Sequence, residues 1–168
     1  MDSQALQALA DAVRLWEVDP AGCTEHLVTT GAEWAEPSGS ASARALGQLD
    51  EDASRTRVRE LALALRDELR LTQLEGSDVQ DEAVAAMCRR HLAGEVSARE
   101  LTYWIWRVVG LKGSERCRPF LQFEDEYTRY AAYDCSAIDN DVTAAAEEFV
   151  HPGGPKRRSR LAKFFRRG

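Results

Sequence analysis

The sequence predicts an all-α protein, a compact bundle of about seven helices followed by a basic and flexible C-terminal tail. Three observations predict this fold class. Apolar residues recur at spacings of three and four through most of the chain, which is the period of one helix face. No alternating apolar and polar run exceeds a few residues, and there is no Asn-Gly or Asp-Gly hairpin signal. Turn-forming Gly, Pro, Ser and Asp clusters separate the periodic segments.

Length and composition predict one soluble helical domain over residues 1–150, then a Pro/Gly break and a basic tail over residues 151–168. Hydrophobic residues make up 44% of the 168-residue chain, and no apolar run approaches the roughly 20 residues that span a bilayer. No signal peptide is expected, because the N-terminus lacks a basic region followed by an apolar run. Scattered cysteines without a Cys-x-x-Cys pair are expected to be reduced, which predicts a cytoplasmic protein.

The N-terminal half is predicted to hold four helices. The first covers residues 3–18 and has Ser3 as its candidate N-cap. Asp19 and Pro20 open the second, with an aspartate cap and a proline in the first turn. A short third helix follows, and the longest apolar stripe of the chain, over about residues 54–74, predicts the fourth.

Glycine and proline are expected to shape the second helix. Gly31 should weaken it, since glycine loses more conformational freedom in a helix than alanine does. Pro37 should end it, because proline lacks the backbone N–H that continues the helical hydrogen bonds. The Pro-Ser-Gly-Ser run over residues 37–40 then predicts a turn or a short exposed loop.

The segment over residues 96–111 carries the most complete helix signal. Ser97 and Glu100 form a Ser-x-x-Glu capping box. Gly110 stands where a left-handed C-terminal cap belongs, and Leu111 is placed to fold back on the last turn. A helix ending near Gly94 precedes this one, and the two are predicted to form an antiparallel hairpin. The apolar stripe consists of Leu101, Trp104, Ile105, Val108 and Val109.

The C-terminal part predicts an aromatic helix followed by a last helix. Between Glu124 and Glu148 there are eight acidic residues and one basic residue, a net charge of −7. Asp139 and Asp141 are expected at the start of the last helix, where negative charge meets the positive end of the helix dipole. The remaining acids have no such role, which leaves two interpretations: a solvated surface, or a face that binds a basic partner.

The partner-binding interpretation also depends on side chains that lie off the apolar stripe of residues 96–111, and these are either exposed or covered by another helix. Exposed aromatic side chains beside acids would serve as anchors for a basic protein, whose association would be fast and sensitive to salt. The candidate partner-binding residues are Tyr103, Trp106, Phe123, Glu124, Asp125, Glu126, Tyr127, Tyr130, Asp134, Asp139 and Asp141.

Signals for catalysis are absent from the sequence. It contains no Gly-rich phosphate loop, no His-Glu-x-x-His and no Gly-x-Ser-x-Gly. The carboxylates from Glu124 to Asp141 could include a general acid–base pair or ligands for a divalent cation, but Asp139-Asn140-Asp141 lacks the spacing and glycine of an EF-hand loop. His91 has no second ligand at helical spacing and is interpreted as a satisfied core or boundary histidine. We therefore expect no catalytic residue, no metal site and no cofactor.

The last 13 residues form a basic tail, with seven basic residues and no acidic one. The full chain has a net charge of −6, so residues 1–155 carry −13. The tail could contact nucleic acid or an anionic membrane, which would make the protein an adaptor or regulator, or it could be a disordered extension. The candidate tail contacts are Lys156, Arg157, Arg158, Arg160, Lys163, Phe164, Phe165, Arg166 and Arg167.

Two short motifs add a resemblance to a known family. The run Leu-Ala-Gly-Glu-Val-Ser-Ala-Arg-Glu over residues 92–100 and the run Phe-Glu-Asp-Glu-Tyr over residues 123–127 resemble small helical immunity proteins that neutralise colicin D-type, tRNA-cleaving toxins. The resemblance covers the C-terminal half of the chain. It implies stoichiometric inhibition of a basic nuclease toxin, in which the acidic face covers the site where RNA phosphates would lie.

Overall fold

The computed structural model describes residues 2–50 and 53–153, and in these ranges the protein is all-helical, which confirms the predicted fold class. The chain divides into two compact units, Met1–Glu75 and Gly76–Gly168. The prediction of one domain over residues 1–150 stays a prediction, and the basic tail contacts lie outside the described residues. The α-helices are α1 (Ser3–Val18), α2 (Pro20–Ser38), α3 (Ala41–Gly47), α4 (Arg55–Glu68), α5 (Ser77–Leu92), α6 (Ala98–Trp104), α7 (Arg118–Arg129) and α8 (Ser136–Val150).

In the first unit, α1 packs on α2 and α4, and α3 packs on α2 and α4. The cap of α1 is Asp2, whose carboxylate accepts a hydrogen bond from the backbone N–H of Gln4 at 2.9 Å, so the assignment of Ser3 as the cap was one residue late. Asp19 caps α2 as predicted, through the N–H of Gly22 at 3.0 Å. These local hydrogen bonds satisfy N–H groups that have no partner inside the helix.

The prediction that α2 ends at Pro37 before an exposed turn is wrong. The helix continues to Ser38, and Gly39 ends it in the left-handed conformation at φ 69°. A proline this close to the C-terminus removes only one hydrogen bond, and the N–H of Gly39 bonds to the carbonyl of Ala35 at 3.0 Å. Ser40 then caps α3 directly, and both Ser38 and Ser40 are buried.

Glycines permit the close approach of α2 and α3. A Cβ atom built on Gly31 would lie 3.0 Å from the carbonyl oxygen of Ala43, and one built on Gly47 would lie 2.5 Å from the Cα atom of Ala32. Gly31 was expected only to weaken its helix. The structure shows that it and Gly47 also leave the space in which the two helix backbones meet.

Helix α4 ends at Glu68, six residues before the end that the apolar stripe predicts. The chain reverses at Arg70, which has φ 54° and is the one non-glycine residue with positive φ among the described residues. The N–H of Leu71 donates to the carbonyl oxygen of Arg66 at 3.0 Å. The N–H of Arg70 donates to the carbonyl oxygen of Asp67, also at 3.0 Å. This is the Schellman arrangement, in which glycine is the usual residue at the left-handed position.

Replacing Arg70 by glycine is expected to raise the free energy of unfolding by about 0.5–1 kcal/mol, because a side chain in the left-handed conformation costs about 1–2 kcal/mol and glycine recovers part of that cost. Arg59→Gly, at an exposed position inside α4, should instead lose about 1 kcal/mol. Urea denaturation of both variants measures these values. Destabilisation by Arg70→Gly would show that the Arg70 side chain makes a compensating contact.

In the second unit, α8 packs on α5, α6 and α7, and α6 also contacts α5 and α7. His91 is half-buried, and both ring nitrogens are engaged: Nδ1 lies 3.0 Å from the carbonyl oxygen of Val96 and Nε2 lies 2.9 Å from Thr143 Oγ1. The interpretation of His91 as a satisfied boundary histidine is therefore confirmed. Through these two bonds, this histidine joins α5 to the following connection and to α8.

The helix predicted over residues 96–111 begins as an α-helix at Ala98, but its α-helical geometry ends at Trp104, before the apolar stripe ends. The capping box is confirmed: Glu100 Oε2 accepts from the N–H of Ser97 at 2.7 Å, and Ser97 Oγ accepts from the N–H of Glu100 at 3.2 Å. After α6 the chain widens into a π-turn over Ile105–Val109 and a 3₁₀ turn over Gly110–Lys112. Gly110 has φ 51° but ψ −131°, so it does not form the predicted left-handed cap. Leu111 consequently points to solvent and is 90% exposed, against the prediction that it folds back.

Candidate protein-interaction surface

Helix α7 buries three of the candidate partner-binding residues. Phe123, Glu124 and Tyr127 are only 5%, 6% and 1% exposed. Their side chains belong to the interior of the second unit together with Phe120, so the expectation that they lie on an exposed face is wrong. The helical spacing of Phe120, Phe123 and Tyr127 was interpreted correctly as one face, and the error lay in placing that face towards solvent.

Glu124 is a buried carboxylate with partners on α6. Its Oε2 atom accepts a hydrogen bond from Thr102 Oγ1 at 2.9 Å, and its Oε1 atom lies 3.5 Å from a guanidinium nitrogen of Arg99. A carboxylate can be buried only when such groups replace its hydration. Glu124 therefore connects α6 to α7 and is not free to bind a partner.

Tyr127 connects α7 to α8, because its hydroxyl group donates a hydrogen bond to Asp139 Oδ1. The Arg99 guanidinium lies over the Tyr127 ring, 5.1 Å from its centroid. Burial, followed by the hydrogen bond to Asp139, raises the pKa of the Tyr127 hydroxyl above its usual range. Asp139 stands in the first turn of α8, as predicted, and although it is exposed, its carboxylate is already bonded to Tyr127.

Helix α8 starts at Ser136, before the position that the sequence predicts. Asp134 Oδ1 accepts from the N–H of Ser136 at 2.9 Å, so this acid also has a role at the helix start, and the prediction that only Asp139 and Asp141 do is wrong. That hydrogen bond, and a second one from the Ser136 hydroxyl, lower the pKa of Asp134. Asp141 lies in the second turn and also has an interaction partner.

The raised pKa of Tyr127 predicts a loss of stability at alkaline pH. Above the pKa of an unfolded tyrosine, about 10, the unfolded chain releases the proton that the folded chain keeps, so the free energy of unfolding falls as the pH rises. The stability difference between the native chain and Tyr127→Phe should therefore shrink by about 1 kcal/mol between pH 9 and pH 11. Denaturant titrations at both pH values measure it, and Tyr133→Phe, at an exposed tyrosine, is the control. Parallel pH profiles for the native chain and Tyr127→Phe would contradict this assignment.

The other acids of α7 remain on the surface. Asp125 is exposed and Glu126 is partly exposed. Neither carboxylate makes a hydrogen bond or ion pair with any residue that the structure describes. They differ in this from Glu124, Asp134 and Asp139, and among the acids of the candidate partner-binding set they are the most available to a partner.

Two pairs of aromatic side chains are exposed in the same unit. Tyr103 and Trp106 are 49% and 51% exposed, and their rings are stacked with centroids 6.0 Å apart and planes 28° from parallel. Tyr130 is 45% exposed and lies edge-to-face with Tyr133, which is 73% exposed. Tyr133 was missed in the sequence, although its spacing of three from Tyr130 could have indicated a pair.

We define the acidic-aromatic surface as seven exposed or partly exposed members of these groups; Asp139, which bonds to Tyr127, and Asp141 are not included. Helices α6 and α7 pack together, because Thr102 and Arg99 on α6 bond to Glu124 on α7. Tyr130, Tyr133 and Asp134 lie in the connection that leads from α7 to α8. The surface is formed by Tyr103, Trp106, Asp125, Glu126, Tyr130, Tyr133 and Asp134.

Comparison with known proteins adds no relative. No protein-family model, no curated protein and no solved structure matches the chain. The resemblance to immunity proteins of the colicin D type therefore stays a prediction.

The cysteines are poorly suited to chemistry at this surface. None of the four forms a disulfide bond, and three of them are buried, with Cys135 the exception. Burial raises the pKa of Cys117 to about 12 and that of Cys88 above its usual range, so both remain protonated thiols at neutral pH. In the described ranges, no three His, Cys, Asp or Glu side chains are grouped to hold a metal ion, and no helix has the length and apolarity to cross a membrane.

Proposed function

We propose that this protein is a non-catalytic binding protein, and that its acidic-aromatic surface binds a basic protein partner in the cytoplasm. The observation that carries the proposal is the pairing of available carboxylates with exposed aromatic rings. Asp125 and Glu126 have no partner among the described residues, and Tyr103 and Trp106 lie half exposed on the helix that packs against theirs.

The physical basis is the same as in other charge-steered complexes. The net charge of −7 between Glu124 and Glu148 attracts a positively charged protein from a distance and raises the association rate. Aromatic side chains then contribute most of the contact energy, because they bury a large area at little cost in conformational entropy. Such a complex should weaken as the salt concentration rises.

The partner that we propose is a nuclease toxin, and the protein would be its immunity protein. The resemblance of residues 92–100 and 123–127 to colicin D-type immunity proteins supports this choice. The nucleic-acid site of a tRNA-cleaving toxin is basic, because it must bind phosphates. A surface rich in carboxylates can occupy that site and block it without any catalytic residue.

The test is tRNA cleavage by the purified nuclease domain encoded beside the gene of this chain. We expect cleavage to stop at one protein per toxin, and inhibition to weaken with added salt. Deletion of residues 156–168 should leave inhibition unchanged, whereas the adaptor hypothesis requires the tail for activity. Continued cleavage at a tenfold excess of the protein, or a gene neighbourhood without a nuclease, would contradict the immunity role.

A further inference from the structure

We propose that the stacked Tyr103–Trp106 pair is a receptor for an arginine side chain of the partner. The inference rests on the proposed function, since it names the group of the basic protein that the acidic-aromatic surface recognises. The proposed ligand is specifically a guanidinium group held against an aromatic ring. Another positively charged group, such as a lysine ammonium, would not be equivalent.

The ring pair stands on a capped helix and is open to solvent. Tyr103 belongs to α6, whose start is held by the Ser97–Glu100 capping box, and Trp106 belongs to the π-turn that follows directly. Each ring keeps about half of its surface exposed, and the stacking contact with the other ring is the interaction that the structure shows for it. Among the described residues, no cation lies over either ring. The negative faces of the rings are therefore available to a cation.

The same unit uses this chemistry internally twice. The Arg99 guanidinium lies 5.1 Å from the Tyr127 ring centroid and donates to the Tyr127 carbonyl oxygen at 3.3 Å. The Arg116 guanidinium lies 4.2 Å from the Phe149 centroid and donates to the Phe149 carbonyl oxygen at 2.6 Å. In both cases a planar guanidinium combines a ring contact with a hydrogen bond, which a lysine ammonium matches poorly.

The charges around the ring pair also favour a cation. The ring pair is carried by α6 and the π-turn, and both pack against α7, which carries Asp125 and Glu126. The attraction of exposed carboxylates for a cation extends over about 8 Å at physiological ionic strength. The two carboxylates are not neutralised by any described residue. They therefore raise the local concentration of a cation, and the rings select its type.

The test compares two probes of equal charge, fluorescent octa-arginine and octa-lysine peptides, in binding to the full chain by anisotropy at low salt. We expect the native protein to bind octa-arginine about fivefold more tightly. Trp106→Ala should remove this preference and leave octa-lysine binding unchanged. Asp125→Asn combined with Glu126→Gln should weaken both peptides to the same extent. Because the basic tail is identical in every protein compared, its seven positive charges affect all the measured affinities equally.

Two further variants keep the test decisive. Tyr103→Ala provides an independent way to disrupt the ring pair, and because both residues are half exposed, circular dichroism should show an unchanged helical fold. Tyr133→Ala removes an aromatic ring elsewhere on the surface and should keep the preference. Equal binding of the two peptides by the native protein, or a preference that survives Trp106→Ala, would overturn the proposal.

The peptide test and the nuclease test fail independently. Toxin inhibition without a preference for arginine would leave the proposed function standing and refute the arginine receptor. A preference that requires Trp106, in a protein that does not inhibit the nuclease, would support the receptor and refute the immunity role.

Discussion

Reversing the two available charges, in Asp125→Lys combined with Glu126→Lys, is expected to weaken binding of the nuclease partner by at least about a hundredfold at low salt. Two attractive carboxylates become two repulsive ammonium groups on the proposed surface. Both the association rate and the stability of the complex should fall. Calorimetric or interferometric titrations at several salt concentrations measure the loss, which should be smallest at high salt.

This double variant should keep its fold. Asp125 and Glu126 lie in the second half of α7, where a lysine interacts favourably with the negative end of the helix dipole. Glu124 is left unchanged, because reversing a buried carboxylate that bonds to Thr102 would disrupt the core and would confound the result.

The matched control is Glu25→Lys combined with Glu33→Lys. Both residues are exposed on α2 of the first unit, and the change in net charge is the same. We expect this control to lose much less affinity, since only the long-range attraction is reduced. An equal loss in the two double variants would mean that net charge, and not the acidic-aromatic surface, determines binding.

Replacing Gly47 by alanine is expected to lower the free energy of unfolding by about 2 kcal/mol. The new Cβ atom would lie 2.5 Å from Ala32 Cα and 2.8 Å from Ala32 N. Those are backbone atoms, so α2 and α3 must move apart. In an unpacked helix the same substitution stabilises by about 1 kcal/mol. The expected change in the free energy of unfolding therefore has the opposite sign to the change that helix propensity alone predicts.

Gly31→Ala gives a graded comparison for this prediction. Its Cβ atom would lie 3.0 Å from Ala43 O and from Leu46 Cβ, which is a milder overlap, so a smaller loss is expected. Urea denaturation monitored by circular dichroism measures both variants. A stabilised Gly47→Ala protein would show that α2 and α3 are not packed as closely as the structure describes.

Much of the helical pattern could be predicted because its causes are local. The capping box of Ser97 and Glu100, the cap by Asp19 and the proline of α2 each involve residues within one helical turn. Hydrogen bonds of this range are specified by spacing alone. The same reasoning failed where the chain departs from regular geometry, at the left-handed Arg70 and at the π-turn of Ile105–Val109.

The candidate surface could be predicted only in part. Glu124 follows Phe120 by four residues and precedes Tyr127 by three, a spacing that already placed its carboxylate on the apolar face. Whether that carboxylate is buried or exposed depended on Thr102 and Arg99, which lie more than 20 residues away in the chain. The exposure of Tyr103 and Trp106 was likewise left open by the sequence, because it depends on which other helices cover α6.

By itself, the sequence determined the all-α class, most helix starts and the excess of acidic residues, since these follow from composition and from interactions over three or four residues. Only the tertiary structure decided which acids are available. Glu124 bonds to Thr102 and Arg99, Asp139 to Tyr127 and Asp134 to Ser136, whereas Asp125 and Glu126 have no partner in the described part of the chain. The physical reason is that most of these partners lie on other helices. A carboxylate is available to another protein only where the neighbouring helices provide no group that bonds to it.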